Sequence, residues 1–171
     1  MTDTSMSAAT ETPQAVLVIE RTYRARVQEL WDLWTTKSGF ESWWGPRGFR
    51  VEVRALEARV GGALEYDMIA DAPDAIAAMK RIGQPVSHFT HGRFAEFEPL
   101  ERLTLVHMID FISGVEPYDH TIEVDFHASG DSARMVVTVH PHSDPHWTKM
   151  AVEGFQSQLT KLDARFGGPG R

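Results

Sequence analysis

The sequence predicts an α+β fold in which one strongly curved antiparallel sheet of about six or seven strands wraps around a long C-terminal helix, with two short helices after the first strand. Three observations predict it. Period-two alternation recurs from Phe49 to His140. Helical spacing is strongest in two stretches, 27–44 and 144–166. The second of these is the only element large enough to cover the dry face of such a sheet.

Residues 16–24 (VLVIERTYR) are β-branched and aromatic, and they alternate after Ile19, which predicts the first strand. Val27, Leu30, Trp31 and Trp34 then fall at helical spacing. A second short helix is expected over Ser38–Trp44, with Ser38 as N-cap and Gly45-Pro46 as its stop. Phe49, Val51, Val53 and Ala55 alternate with charged residues, and Gly61-Gly62 turns the chain into Leu64, Tyr66 and Met68. Residues 72–85 break the pattern and predict a loop carrying one helical turn or two, capped by Asp71 or Asp74. Strands resume at Ser87–Phe97, Arg102–Phe111, Tyr118–Ala128 and Ala133–His140, separated by Glu98-Pro99, Ser113-Gly114 with Pro117, and Ser129-Gly130-Asp131. The final helix, Asp144–Phe166, begins with an Asp N-cap followed by Pro145, and Gly167 closes it.

This organisation implies one domain over residues 15–166, between tails at 1–14 and 167–171 expected to be disordered. Seventeen Lys and Arg against 24 Asp and Glu give a net charge of −7, which argues against a nucleic-acid backbone as the main partner. The absence of cysteine excludes disulfides, thiolate metal sites and a Cys nucleophile. Residues 1–14 show no basic or apolar leader, and no apolar run approaches the length of a membrane span, so a cytoplasmic protein without a membrane partner is expected. The GxSxG, GxxxxGK[ST] and GxGxxG patterns are missing, which disfavours covalent and nucleotide-dependent chemistry. No cofactor is expected.

Several motifs carry a family resemblance. They are Arg21-Thr22, Trp31…Trp34-Thr35, Trp43-Trp44-Gly45-Pro46, Val60-Gly61-Gly62, Gly92 with Glu96-Phe97, Pro99…Arg102-Leu103, and Glu153-Gly154-Phe155…Leu159…Lys161-Leu162. In this order and spacing, over about residues 16–166, the chain resembles the START-like (SRPBCC, Bet v 1-like) helix-grip superfamily. Within it, the chain is most similar to the branch of the activator of Hsp90 ATPase. It departs from the usual pattern in a longer 72–85 insertion and a histidine-rich 140–146 stretch. The resemblance implies a cavity between sheet and helix for a small hydrophobic or amphipathic ligand. As alternatives it implies an Hsp90-type chaperone as partner, or a cyclase, dehydratase or hydrolase working in the same cavity. A homodimer is the expected form of any self-association, two-fold dimers being the commonest oligomers.

Strand parity nominates Val51, Val53, Leu64, Tyr66, Met68, Ile122 and Val124 as lining residues, and the helix adds Trp147, Met150, Ala151, Gly154 and Phe155. The plainer alternative for each is a place in a filled core. Trp44 belongs either to the mouth of the cavity or, with Trp43, to a structural plug. His120 shares the parity of Ile122 and Val124, so an inward imidazole with a carboxylate such as Asp110 would suit acid–base chemistry; His88, His91 and His107 are less easily placed. Arg21 is read as a structural ion pair, or as a counter-ion for a ligand's anionic group. His140-Pro141-His142 with His146 comes nearest to a metal motif, but Pro145 breaks the helix that would align it, so solvated imidazoles are expected.

Overall fold

Alternating apolar residues give seven strands: β1 (Leu17–Tyr23), β2 (Phe49–Leu56), β3 (Ala63–Ala70), β4 (Ser87–Glu98), β5 (Arg102–Ile109), β6 (Tyr118–Ser129) and β7 (Ser132–Val139). In the computed structural model, which describes residues 16–110, 112 and 114–167, they form one antiparallel sheet in the order β1-β7-β6-β5-β4-β3-β2. Of the tails expected at 1–14 and 167–171, all but Gly167 lie outside the described residues, as does Phe111 at the expected end of the fifth strand. Register shifts between Val53 and Ala55 and between Phe94 and Glu96 bend the sheet. Gly92 permits a close approach of β4 and β5: a Cβ there would lie 2.4 Å from the Val106 carbonyl oxygen.

Strands β1 and β2 are opposite edges, so the chain between them must cross the concave face. It does so through α1 (Val27–Thr35) and α2 (Lys37–Glu41). Leu30, Trp31, Leu33 and Trp34 of α1 are buried. Trp31 meets Phe97 and Phe126 edge-on, and the Trp34 indole N–H donates to Met135 Sδ. These bulky rings fill one end of the concave face. The cap of α2 is Thr36, whose hydroxyl accepts from the Gly39 N–H; Ser38 lies inside the helix, which ends at Glu41, four residues before Gly45. Glu41 then reaches across to accept the backbone N–H of Val53 on the edge strand β2.

The expected break at 72–85 is a nine-residue helix, α3 (Pro73–Arg81), longer than the one or two turns expected. Neither Asp71 nor Asp74 caps it. Pro73 takes the first helical position and Ala72 the N-cap, because a missing N–H and a pre-set φ make a side-chain cap dispensable there. No residue of α3 is buried.

The last helix, α4 (Pro145–Arg165), begins as its sequence indicates, with the Asp144 carboxylate accepting the His146 N–H. Its two halves differ. None of its residues before Phe155 is buried, whereas Phe155, Gln158, Leu159 and Leu162 are. The buried half is fixed at both edges of the sheet. Arg47 N–H donates to Ser157, and Lys161 donates to the Phe49 carbonyl. On the other side Tyr23 and Arg21 both donate to Asp163, at 2.6 and 3.3 Å. Arg21 is therefore a structural ion pair between β1 and α4 and does not reach the cavity described next.

Candidate functional site

Because α1 and α2 occupy one end of the concave face and only the second half of α4 packs down, the other end stays open. A cavity of about 290 Å³ lies there, beneath the first half of α4. Its roof is one face of α4: Trp147, Met150, Ala151, Gly154, Phe155 and Gln158, at the i, i+3/i+4 spacing that brings side chains to one side. Its floor is a band across four strands. Tyr66 and Met68 come from β3, His88 and Thr90 from β4, where Tyr66 pairs with Thr90 and Met68 with His88. His107 and Ile109 come from β5, His120 and Ile122 from β6, with His107 directly opposite His120. Trp44, Pro46 and His142 close the sides. Met150 is half exposed, which places the opening beside it.

Ten of the fourteen residues nominated from the sequence line this space: Trp44, Tyr66, Met68, His120, Ile122, Trp147, Met150, Ala151, Gly154 and Phe155. Val51, Val53, Leu64 and Val124 do not. They point to the same face but lie within the aromatic core below, where Leu64 and Val124 are wholly buried. Parity assigns a face and not a position along it, and that position was set by where α1 and α2 cross.

Trp44 is a buried side wall and not a mouth. Both it and Trp43 are buried, Trp43 donating to the Leu33 carbonyl and meeting Trp34 edge-on. The Trp44 indole N–H donates to the Tyr66 hydroxyl at 3.0 Å, and Tyr66 lies 3.0 Å from His107 Nε2. Having accepted from Trp44, the phenol has its proton available for the imidazole. Burial pushes Tyr66 up, so it keeps that proton, and burial pushes His107 down to about 3, with His120 and His91 adding to the effect.

The histidine-rich segment divides among separate partners. His120 Nε2 lies 2.7 Å from the His140 carbonyl, which can only accept, so Nε2 carries the proton and Nδ1 is the acceptor. His142 stacks on His120 with ring centroids 3.9 Å apart and bonds to Tyr118. Burial lowers both, His142 to about 4. His140 turns away to Glu123, which Arg102 also holds. Asp110 pairs with His91 at 2.9 Å on the exposed side of the sheet and is not the partner of His120. Among the described residues no three His, Asp or Glu side chains converge as a metal site.

Among the described residues no Asp, Glu, Lys or Arg lines the cavity, and His107, His120 and His142 are neutral at physiological pH. The lining is apolar with a few uncharged hydrogen-bonding groups, the usual constitution of a small-molecule site. An imidazole held near 3 is a weak base at neutral pH. The sequence nominations omitted Pro46, Thr90, Ile109 and Gln158 and left His88 and His107 unplaced, and His142, expected to be solvated, stacks on His120 at the cavity instead. For His107 a signal was present, since it alternates in phase with Leu103, Leu105 and Ile109.

The family model for activator of Hsp90 ATPase homolog 1-like protein matches residues 24–167, nearly the whole fold. The chain belongs to that family. Its solved relatives share the family's helix-grip fold at low identity. A Chromobacterium violaceum protein is 23% identical, with a TM-score of 0.68 over 88% of this chain and 96% of its own. The AHSA1 protein of Silicibacter pomeroyi is 18% identical, with a TM-score of 0.69 over 90% and 98%. An Arthrobacter aurescens protein solved by NMR is 19% identical, with a TM-score of 0.69 over 91% and 88%. Among curated proteins none matches the sequence. At these identities the relatives establish the architecture of this AHSA1-family chain, and its function has to be argued from its own cavity. No helix among the described residues is long and apolar enough to cross a membrane.

Proposed function

We propose that this AHSA1-family protein binds a small hydrophobic or amphipathic molecule in the cavity between the sheet and α4. One observation carries the proposal. Gly154 sits in the middle of α4, where glycine is disfavoured by about 0.5–1 kcal/mol relative to alanine, yet a Cβ there would meet no side chain or neighbouring element within 4 Å. Close packing does not account for this glycine; the space in front of it does. The volume is near the lower limit of known small-molecule sites, about 300 Å³.

The test is a thermal-shift and native mass-spectrometry screen of fatty acids, polyketide-like aromatics and hormones, with Gly154→Trp as the blocked control. Wild type is expected to gain melting temperature with at least one class, and the tryptophan variant to gain none. Indifference of the wild type to every class sinks the proposal.

Two other readings have support. The Tyr66–His107 pair puts an inward histidine within hydrogen-bond distance of a partner inside the cavity, so turnover of the bound molecule is the second reading. Product formation abolished by both Tyr66→Phe and His107→Gln, with binding intact, would establish it. The family description supports an Hsp90-type chaperone as partner. Pull-down with purified Hsp90 followed by an ATPase assay decides this, and no association at micromolar concentration retires it.

A further inference from the structure

Gln158 is 4% exposed and lines the cavity roof. Its Oε1 accepts the Gly45 backbone N–H at 2.9 Å. That bond fixes the amide's orientation, because a backbone N–H can only donate and must therefore face the oxygen. The Nε2 group is directed away from Gly45, and among the described residues it is the one buried side-chain polar atom with no partner. A buried donor left unpaired costs about 1–3 kcal/mol, so a glutamine held only to bond Gly45 is an expensive choice at this position.

The position explains the choice. Helical side chains lean toward the N-terminus, over the preceding turn. Gln158 thus extends toward residue 154, one turn earlier on the same face, and residue 154 is the glycine with open space before it. A group entering that space comes alongside the Gln158 side chain and reaches Nε2 by displacing the atoms that seal it from water. Among the described residues no Lys or Arg lines the cavity to balance a carboxylate or phosphate, which favours an uncharged entering group.

We infer that Gln158 Nε2 is the recognition donor for an uncharged acceptor oxygen, a ketone, ester or ether, on an otherwise apolar guest whose adjoining atoms occupy the space left by Gly154. This rests on the proposed binding function and specifies which molecules the cavity selects. It predicts discrimination by oxygen and not by bulk, since a site that loses a buried bond rejects the analogue lacking it.

The experiment measures the affinities of acetophenone and cumene, which share a skeleton and differ in the carbonyl, for the full-length wild type and Gln158→Met. Comparing each probe with itself across the two proteins cancels their unequal hydrophobicity. Acetophenone is expected to lose about tenfold or more in affinity on Gln158→Met, and cumene to change little or bind better. Equal changes for the two probes overturn the inference and leave the binding function standing. Failure of both probes to bind wild type overturns the inference, while the binding function stands or falls by its own screen. Should Gln158→Met not fold, the labelled side-chain amide of Gln158 in wild type decides by NMR: acetophenone must shift its resonances and cumene must not. Saturation with acetophenone without such a shift also overturns the inference.

Discussion

Replacing Gly154 by leucine separates a glycine required by packing from one that leaves a void. Removing glycine from a helix interior contributes about 0.5–1 kcal/mol. A fully buried leucine side chain adds about 1.5–3 kcal/mol. Because the roof here is only half buried, roughly half of that applies, and the sum is about 2 kcal/mol in favour of the variant. For a chain of this size each kcal/mol moves the melting temperature by about 2–4 °C, so Gly154→Leu should melt about 4–8 °C higher than wild type. Gly154→Ala should show the helix contribution alone. Urea titration at constant m-value gives the free energies, and the same samples with a bound guest give the functional half. Wild type gains stability with ligand as RT ln(1 + [L]/Kd), and the leucine variant should gain little. A leucine variant less stable than wild type, or one that still takes the guest with unchanged affinity, would falsify the assignment of that space to a ligand.

Three further outcomes are expected. His107 sits at about 3 in the fold against an ordinary 6.5, so the unfolded chain takes up the proton first: its contribution is complete above pH 6.5 and drains as pH falls toward 3. By about pH 5 this one group costs about 2 kcal/mol, and urea midpoints at pH 7 and 5 should fall less for His107→Gln, whose amide can still accept from Tyr66; identical slopes would contradict the burial argument. Gly92→Ala drives a Cβ to 2.4 Å from the Val106 carbonyl, so calorimetry should show a loss of about 2 kcal/mol or more, because backbone must move; a neutral change would mean that β4 and β5 are not so closely apposed. Asp163→Ala leaves the buried Tyr23 hydroxyl unpaired and should cost about 1–3 kcal/mol in the same assay; no loss would show that the contact does not fasten α4 to β1.

Nearly every strand and both ends of the long helix were legible in the sequence, because alternation and the Asp144-Pro145 start depend on local chemistry. Caps were less so. Ser38 and Thr36 are equally good acceptors by composition, and only the backbone turn at Thr36 decides between them. The cavity was legible as a face and not as a place. Leu64 and Tyr66 alternate identically, yet one is core and the other floor, because Trp31 and Trp34 cover one end of the sheet from a distant part of the chain. Gln158 was legible as a polar residue on an apolar helical face. Its role depends on the Gly45 N–H, 113 residues away, which no periodicity could supply.

The uneven seating of α4 has a kinetic side. Its first turns, up to Gly154, have no buried side chain, while the segment from Phe155 to Leu162 is anchored to both borders of the sheet. Segments with so few interior contacts open on their own, at far smaller cost than global denaturation. On the proposed binding function, passage beside Met150 is governed by fraying of a few helical turns, and residence times are tunable there without touching the scaffold that carries the fold.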